Sequence, residues 1–520
     1  MKKQLDKIAA AGGEAGEKQD PAVSEKTDRI KILYATSELA PYAYTGGLGD
    51  VSASLPPCLG RLGAEIRVVM PCYRGIRERL GDRLHSAAQF TVSLSWRRQD
   101  CEILEAEMDG YILYLVRCDY YYGRGALYGY YDDAERFAFF SLALLEMMEQ
   151  VRFFPDVLHT GDWQCAAAQV YLECRFRGSR TGYENIRGVH TIHNIEYQGR
   201  FSESTLGDIL GLEEASELLL DGGGINLTRG AVLCADAVTT VSRGSLDDML
   251  APGGGAGLGG LLRENRGKLF GITNGIDEEL FDPSTDIVLP CRYSAADMGG
   301  KMCCKAELQR LLGLGDRLDV PLFAVVSRLT EQKGIGLLLS ILPELVERDI
   351  QIAVQGTGDG EYELDLRDAS RRFPEKIASV LRFDPELAHL IYAGADAFIM
   401  PSRSEQCGLS QMIASRYGTV PIVHSVGGLR ETVRDYDAET GEGDGFAFDG
   451  FSGEALLGAV ARAERLFRRD RSAFTALGQR IMLRDFSWRR SGEKYMQLYR
   501  MVHGEAKTVR NEKTKTVFNF

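Results

Sequence analysis

The segment "LFAVVSRLTEQKG" (residues 322–334) joins an apolar run to a charged loop, and it predicts the architecture of the chain. A short continuous apolar run is typical of a parallel strand that is buried on both faces. Arg328 and Lys333 would follow that strand, and "AFIMPSRSEQCGLSQ" (397–411) places Glu405 after a second strand in the same way. Ligands bind beyond the carboxyl ends of strands in open parallel sheets. We therefore expect these three charges to converge on one site.

Two cations and one carboxylate suit a ligand with an anionic part and a hydroxylated part, as a nucleotide-sugar has. At about 4 Å and an effective dielectric near 20, each cation contributes roughly 4 kcal/mol against a unit negative charge. Arg328 and Lys333 together would stabilise a departing diphosphate without a metal. The alternative is a solvated loop that carries ordinary surface charge.

Composition narrows the class of protein. The chain has 520 residues, 44% of them hydrophobic, and a formal net charge of -13, which argues against nucleic acid or an anionic membrane as the main partner. Its 11 cysteines form no C-x-x-C motif, which predicts reduced thiols. The first residues lack the apolar core of a secretory signal, and no apolar run approaches the roughly 20 residues of a membrane span. These features predict a cytoplasmic protein with two or more domains.

Apolar strand patterns alternate with helical patterns in two successive sets, which predicts two Rossmann-like, doubly wound α/β domains. The predicted strands are 30–36, 64–71, 111–118, 156–162, 185–194 and 236–242, then 322–327, 350–360, 378–383, 397–402 and 420–425. The predicted organisation is a disordered tail (1–28), a first domain (29–280), a second domain (281–485), a C-terminal helix (486–503) and a polar tail (504–520).

Two motifs follow strands of the first set. "TGGLGD" (45–50) supplies Gly46 and Gly47 where the first strand turns into its helix, and glycine lets backbone N–H groups approach a ligand closely. Asp50 in that motif could bind a ligand or simply cap the helix. "HTGDW" places Asp162 and Trp163 at another strand end, where Trp163 could belong to the core or form a stacking platform for a sugar.

"HTIHN" holds His190 and His193, and a pair of histidines three residues apart raises the question of a metal site. An odd separation puts the two side chains on opposite faces of a regular strand, so they cannot chelate an ion together. His193 and Asn194 at the carboxyl end of the strand would face the cleft, and His190 is interpreted as structural.

The chain resembles the bacterial and plant glycogen/starch synthases that use ADP-glucose. The resemblance runs from about Lys31 to Tyr499 and rests on "TGGLGDV", "HTIHNIEYQG", "GITNGID", "VSRLTEQKG", "GTGDGEYE", "IYAGADAFIMPSRSEQCGLSQ", "RYGTVPIVHSVGGLRETV" and "GFAF" in family order. It implies a GT-B fold with the active site in the cleft between two domains. The implied reaction is transfer of glucose from ADP-glucose to the non-reducing end of glycogen or another α-1,4-glucan, with retention and without a metal or other cofactor.

The resemblance also implies roles for individual residues. Arg328 and Lys333 would neutralise the ADP diphosphate, Glu405 would bind glucose hydroxyls, and His193 would lie at the reacting face. The implied substrate-binding residues are Tyr44, Gly46, Gly47, Asp50, Tyr128, Asp162, Trp163, Asn194, Asn274, Gly356, Cys407, Gly408, Leu409 and Ser410.

Three positions depart from the family pattern. Tyr44 stands where the family has a lysine that contacts the donor, Gly161 replaces a histidine, and Gln406 replaces a proline. Two alternatives therefore stay open: a diverged member that uses another sugar-nucleotide, and a non-catalytic glucan-binding or regulatory paralogue.

Overall fold

A computed structural model describes residues 29–508 as two lobes, each with a sheet between layers of helices. The predicted pair of doubly wound α/β domains is confirmed. The tail predicted at 1–28 lies outside the described residues, as does most of the tail predicted at 504–520. In residues 29–508, no helix combines the length and the apolar character that crossing a membrane requires.

The first lobe holds a sheet of nine strands in the order β12-β11-β7-β6-β1-β2-β5-β4-β3, with a small separate sheet of β8, β10 and β9. Strands β12 to β5 of this order are parallel, and β4 and β3 continue it as an antiparallel hairpin. The strands are β1 (Lys31–Ala35), β2 (Glu65–Pro71), β3 (His85–Leu94), β4 (Arg97–Met108), β5 (Tyr111–Arg117), β6 (Val157–Gly161), β7 (Arg187–Ile192), β8 (Arg200–Ser202), β9 (Leu220–Asp221), β10 (Gly224–Asn226), β11 (Ala237–Thr240) and β12 (Leu269–Gly271).

The second lobe holds a sheet of six parallel strands in the order β15-β14-β13-β16-β17-β18. They are β13 (Leu322–Val326), β14 (Gln351–Gln355), β15 (Ile377–Val380), β16 (Ala397–Met400), β17 (Val420–His424) and β18 (Phe446–Phe448). The direction in which successive strands are added reverses at one pair of neighbours in each sheet, β1 and β6 in the first lobe and β13 and β16 in the second. Such switch points open a crevice at the carboxyl ends of the strands.

Helices cover both sheets. Those of the first lobe are α1 (Gly47–Arg61), α2 (Ile76–Leu80), α3 (Asp119–Tyr122), α4 (Asp133–Gln150), α5 (Asp162–Tyr171), α6 (Ser216–Leu219), α7 (Leu227–Cys234), α8 (Arg243–Leu250) and α9 (Gly259–Glu264). Those of the second lobe are α10 (Gly299–Leu312), α11 (Ile335–Ser340), α12 (Leu342–Val346), α13 (Gly360–Arg372), α14 (Pro385–Gly394), α15 (Ser410–Arg416), α16 (Gly427–Thr432), α17 (Gly453–Arg469) and α18 (Arg471–Met482), and the described part of the chain ends with α19 (Trp488–Thr508).

The last helix, α19, returns to the first lobe and packs beside α1. Tyr495 and Tyr499 are buried in the core of that lobe, where the Tyr499 hydroxyl lies 2.7 Å from His159 Nδ1. The helix continues past its predicted end at residue 503. Where the chain crosses back, Ile276 pairs with Ser487, so the two connections between the lobes run side by side.

The sequence pattern misses the β3–β4 hairpin. Most of β3 is exposed or half-buried, since it is the edge of its sheet, and only Val92 and Leu94 are buried. One face of an edge strand is exposed to solvent, so its sequence contains no continuous apolar run. A continuous apolar run was the pattern that predicted the parallel strands.

The prediction that all cysteines are reduced is wrong for one pair, because the structure contains a disulfide between Cys291 and Cys303. The segment that links the lobes folds back onto the start of α10, which brings the two Cα atoms to 6.0 Å. A separation of 12 residues without a C-x-x-C motif gave no sign of this approach.

Candidate active site

The loop that follows β1 is organised by the buried carboxylate of Glu38. Its oxygens accept hydrogen bonds from the Thr45 amide (2.7 Å), the Thr45 hydroxyl (2.8 Å), the Gly46 amide (3.3 Å) and the Tyr128 hydroxyl (3.0 Å). Glu38 thereby joins the glycine-rich loop to Tyr128 at the β1/β6 switch point. Glu38 was not among the residues predicted from the sequence, although a carboxylate in the loop after a buried strand was the signal that identified Glu405.

The absence of a side chain has a different structural consequence at each glycine of this loop. A Cβ atom on Gly49 would lie 2.3 Å from the Cβ of Tyr44, so packing excludes any other residue there. A Cβ on Gly46 or Gly47 would meet no atom within 4 Å, which leaves their backbone open to a ligand. Tyr44 and Asp50 are both exposed beside this open backbone.

Asp162 begins α5 with a left-handed backbone (φ 52°), which is uncommon for residues other than glycine. Its Oδ1 accepts hydrogen bonds from the amides of His193 (2.7 Å) and Asn194 (3.3 Å), the two residues that follow β7. Burial raises the pKa of the Asp162 carboxyl to about 7, and those amides oppose the shift. Asp162 thus fixes the turn that presents His193 and Asn194.

His193 presents a buried Nε2 atom that has no hydrogen-bond partner among the described residues. Burial lowers the pKa of His193 to about 4, so the imidazole is neutral near pH 7. A Cβ atom on Gly161 would lie 3.6 Å from Nε2. The glycine therefore leaves space beside this imidazole.

His190 and Trp163 are used for packing. His190 is fully buried, and its Nδ1 lies 2.9 Å from the Thr160 hydroxyl, in keeping with a structural role. The Trp163 ring meets the edges of Phe137 and Phe201 at centroid distances of 5.1 and 5.6 Å. For Trp163, these contacts favour the core over a sugar platform.

In the second lobe, Lys333 and Glu405 form an ion pair. Lys333 Nζ lies 2.6 Å from Glu405 Oε2, which also accepts a hydrogen bond from the Ser402 hydroxyl (3.2 Å). A cavity of about 80 Å³ opens here, at the ends of β13 and β16. Its lining includes Ser327, Lys333, Ser402 and Ser410. The predicted lysine and carboxylate therefore meet at the switch point of the second sheet.

Arg328 is exposed, and among residues 29–508 its guanidinium has no ion pair. Gly356 lies beside it: a Cβ on Gly356 would come within 1.8 Å of the Ser327 carbonyl oxygen. Gly356 is therefore required where the loops after β13 and β14 meet. The Arg328 side chain, in the same loop after β13, is exposed to solvent.

The remaining candidates of the second lobe form the turn into α15. Cys407 is buried, Leu409 is half-buried, and Gly408 has a positive φ of 74° that favours glycine. Ser410 is the first residue of α15. Asn274, in the segment between the lobes, is buried with an Oδ1 atom that lacks a partner within the described part of the chain.

Both halves of the candidate site face one cleft. Thr240 of β11 pairs with Ile192 of β7, the residue before His193, so the chain that leaves β11 starts beside this part of the site. Ser242 follows at once and donates its hydroxyl to the Gln406 carbonyl, next to Glu405. The short segment after Thr240 therefore connects the end of β7, next to His193, with the residue next to Glu405 in the other lobe.

Helices α8 and α16 join the lobes beside this site. The Asp248 carboxylate accepts a hydrogen bond from the Gly427 amide (2.8 Å), and Glu431 accepts one from the Arg243 amide (2.8 Å). In turn, the Gly428 amide donates to the Glu405 carbonyl (3.0 Å). The contact between the lobes thus reaches the backbone of Glu405.

Replacing Asp162 with asparagine should change how stability depends on pH. The folded-state pKa of Asp162 lies above its ordinary 3.8, so its contribution to stability is fully present below about pH 4 and is lost as pH rises through about 7. The asparagine side chain would keep the Oδ1 acceptor without the charge. The free energy of unfolding of the wild type relative to Asp162→Asn should fall by up to about 1.4 kcal/mol per pH unit over that range.

Urea unfolding at about pH 5 and about pH 8 measures this difference. Asp437→Asn is the matched control, since turn amides hold the pKa of Asp437 below its usual range and give a slope of opposite sign. An equal stability difference between wild type and Asp162→Asn at both pH values would contradict the prediction.

Two family models and several curated proteins match this chain. Residues 31–264 match the family model described as starch synthase catalytic domain, and residues 314–473 match glycosyl transferases group 1. Curated glycogen synthases of Bacillus cereus (strain ATCC 10987 / NRS 248) and Streptococcus sanguinis (strain SK36) are each 41% identical to this chain, covering 91% of it and 100% of the relative.

Solved structures also match this chain. The catalytic domain of starch synthase IV from Arabidopsis thaliana, bound to ADP and acarbose, matches with a TM-score of 0.84 and 31% identity, over 92% of this chain and 100% of that one. Sucrose-phosphate synthase from Thermosynechococcus elongatus shares only the fold, at a TM-score of 0.58 and 17% identity over 92% of this chain and 100% of that one.

Proposed function

Because the chain belongs to the glycogen and starch synthase family of glycosyltransferases, we propose that it transfers glucose from ADP-glucose to the non-reducing end of an α-1,4-glucan with retention. Its fold is the GT-B architecture that the resemblance implies. One observation carries the proposal: Lys333 and Glu405 form a pair at the switch point of the second sheet, with the Arg328 cation nearby and His193 across the cleft. The relatives named glycogen synthase support the glucan acceptor, and the ADP bound to starch synthase IV supports this donor.

The two cations act on the leaving group. The solvent-directed Arg328 guanidinium can bind phosphate oxygens in a bidentate manner, and Lys333 is close enough to Glu405 to contact both the diphosphate and the sugar end of the donor. Negative charge grows on the diphosphate as the glycosidic bond breaks, so fixed cations there stabilise the transition state more than the ground state. These side chains supply the charge that a metal would bring in other enzymes.

The sugar lies between the lobes. Glu405 accepts hydrogen bonds from glucose hydroxyls and opposes the positive charge of the oxocarbenium-like centre. The neutral His193 imidazole offers its Nε2, which no described residue contacts by a hydrogen bond, to a sugar hydroxyl, and Asp162 holds its backbone in place. Asn194, Asn274 and Tyr128 complete the polar surface for the sugar and the acceptor.

One exposed aromatic residue of the second lobe is available to bind the adenine base of the donor. Phe383 follows β15 and is exposed to solvent. Its loop lies beside Gly356, whose amide donates to the Val380 carbonyl (3.1 Å). We propose that Phe383 stacks on the adenine. Sequence analysis missed it, because a single aromatic residue in a polar loop gives no periodic signal.

Incubation of the purified protein with labelled ADP-glucose and glycogen tests the function. We expect label in the polymer, released by an enzyme that cleaves α-1,4 linkages. A panel of ADP-, UDP- and GDP-glucose addresses the alternative of another donor, and a clear preference for UDP-glucose would overturn the choice of ADP-glucose. No incorporation by folded protein with any donor would favour a non-catalytic paralogue.

Replacing Tyr44 with lysine should strengthen donor binding. Tyr44 is exposed beside the open backbone of Gly46, so a flexible cationic side chain of similar reach fits there without disturbing the core. A new charge-assisted contact of about 1.5–3 kcal/mol would lower KM for ADP-glucose roughly ten- to a hundredfold. Tyr44→Met, which has similar reach but no charge, is the matched control. Equal KM values in the lysine and methionine variants would contradict the prediction.

A further inference from the structure

We propose that Trp96, Tyr120 and Tyr131 form an aromatic rim on the first lobe that binds the acceptor glucan as it approaches the cleft. This inference rests on the proposed function and adds a binding surface outside the reacting site. The three rings are 72%, 58% and 96% exposed, although burial would stabilise each of them. The apolar C–H face of a glucose unit packs well on such a ring.

Trp96 is exposed but held in one orientation. It lies in the turn of the β3–β4 hairpin, where its indole N–H donates to Asp208 Oδ1 (2.8 Å) and the Arg97 guanidinium covers one side of the ring at 4.2 Å. Arg97 is itself fixed by Glu135 (2.9 Å). An ordered ring with one face open loses little side-chain entropy when a ligand stacks on it.

Tyr120 and Tyr131 continue the rim toward the cleft. Tyr120 packs edge-on against Tyr121 (5.0 Å), whose hydroxyl donates to Glu135, the residue that also holds Arg97. Tyr131 follows Tyr128 closely in the chain, and the Tyr128 hydroxyl binds Glu38 in the candidate site. Contacts and short chain segments therefore connect the hairpin turn with the reacting site.

The rim lies on the same side of the sheet as the cleft, beyond the carboxyl ends of the parallel strands. Glu102 of β4 pairs with Arg117, the last residue of β5, so the hairpin extends beyond the carboxyl end of β5. Arg97, where β4 begins, lies on the order of 17 Å farther along the strand. Because β5 runs parallel with β2, and β2 with β1, the hairpin turn projects on the same side as the cleft.

The charges of the rim favour a neutral polymer. Arg124 forms two hydrogen bonds of 2.6 Å with Asp132, and Arg97 is paired with Glu135 and Asp208. These cations are compensated, so they offer no net attraction to an anionic chain. Stacking rings without excess charge suit an uncharged, hydroxylated polysaccharide.

A variant with Trp96, Tyr120 and Tyr131 all replaced by alanine tests the rim. We expect KM for glycogen to rise at least about tenfold, since each aromatic contact contributes a modest factor. KM for maltotriose and for ADP-glucose should stay within about twofold of the wild type, because short acceptors do not reach the rim. Migration in nondenaturing gels cast with glycogen should be retarded less than for the wild type.

The matched control replaces the same three residues with phenylalanine, which keeps the rings but removes the Trp96 N–H donor to Asp208. Its glycogen KM and gel retardation should stay much closer to those of the wild type than those of the alanine variant. Unchanged glycogen KM and retardation in the alanine variant, with normal maltotriose activity, would overturn the inference. If the alanine variant fails to fold, Trp96→Ala alone is compared with Trp96→Phe in the same gels. Absence of transfer by the wild type would count against the proposed function, whereas gel retardation reports on the rim independently.

Discussion

Replacing Glu405 with glutamine should lower kcat about 100- to 1,000-fold while KM for ADP-glucose changes far less. Glutamine has nearly the same shape and can still accept a hydrogen bond from Ser402, which lies 3.2 Å from Oε2. What is lost is the negative charge opposite the oxocarbenium-like centre. Removing one preorganised electrostatic group from a catalytic site commonly costs this much, and the cost falls on the transition state.

Steady-state kinetics with glycogen and ADP-glucose measure the effect. Glu331→Gln is the matched control, since Glu331 is an exposed carboxylate of the same lobe whose partners are Arg403 and Tyr362. The control should retain wild-type kcat. A Glu405→Gln enzyme with kcat within about threefold of the wild type would remove Glu405 from the reacting centre.

Replacing Arg328 or Lys333 with alanine should each lower kcat/KM about 100-fold or more, since each removes a charge from the departing diphosphate. Arg328 has no ion-pair partner in the described residues, so its removal leaves no buried charge behind. Removing Lys333 also leaves Glu405 without its counter-ion, which lies 2.6 Å away in the wild type. We therefore expect the larger loss for Lys333→Ala.

Arg328→Lys separates charge from geometry, because lysine keeps the cation but cannot form a bidentate contact. Its activity should lie between those of the wild type and Arg328→Ala. Arg403→Ala, which removes an exposed arginine paired with Glu331, should behave like the wild type. Near-normal kcat/KM in both Arg328→Ala and Lys333→Ala would show that the leaving group is stabilised elsewhere.

The parallel strands were predictable because burial on both faces forces a continuous apolar run. "LFAVVS" and "AFIMPS" contain β13 and β16, and the charges after them follow those strands in the fold. The hairpin of β3 and β4 gave no such run, and the disulfide depends on how the segment between the lobes folds back onto α10. Such features depend on tertiary contacts rather than on a local pattern.

The candidate site was predictable where charge stands out against an apolar background. Lys333 and Glu405 fall in that class, and their side chains meet. Glu38 was missed because its loop contains several polar residues, and nothing in the sequence indicates that its carboxylate collects four hydrogen bonds. The role of Asp162 in holding the turn of His193 likewise appears only once β6 and β7 are neighbours.

The chain passes between the lobes twice, and the two passages are bonded together through Ile276 and the residues before α19, with the Ile276 amide donating to the Phe486 carbonyl (2.8 Å). A single tether would let the lobes twist and slide, whereas two adjacent strands act as a common pivot. We expect the lobes to bend about that line when substrate enters and product leaves. Bending about one fixed line would return His193 and Glu405 to the same alignment each time the lobes close.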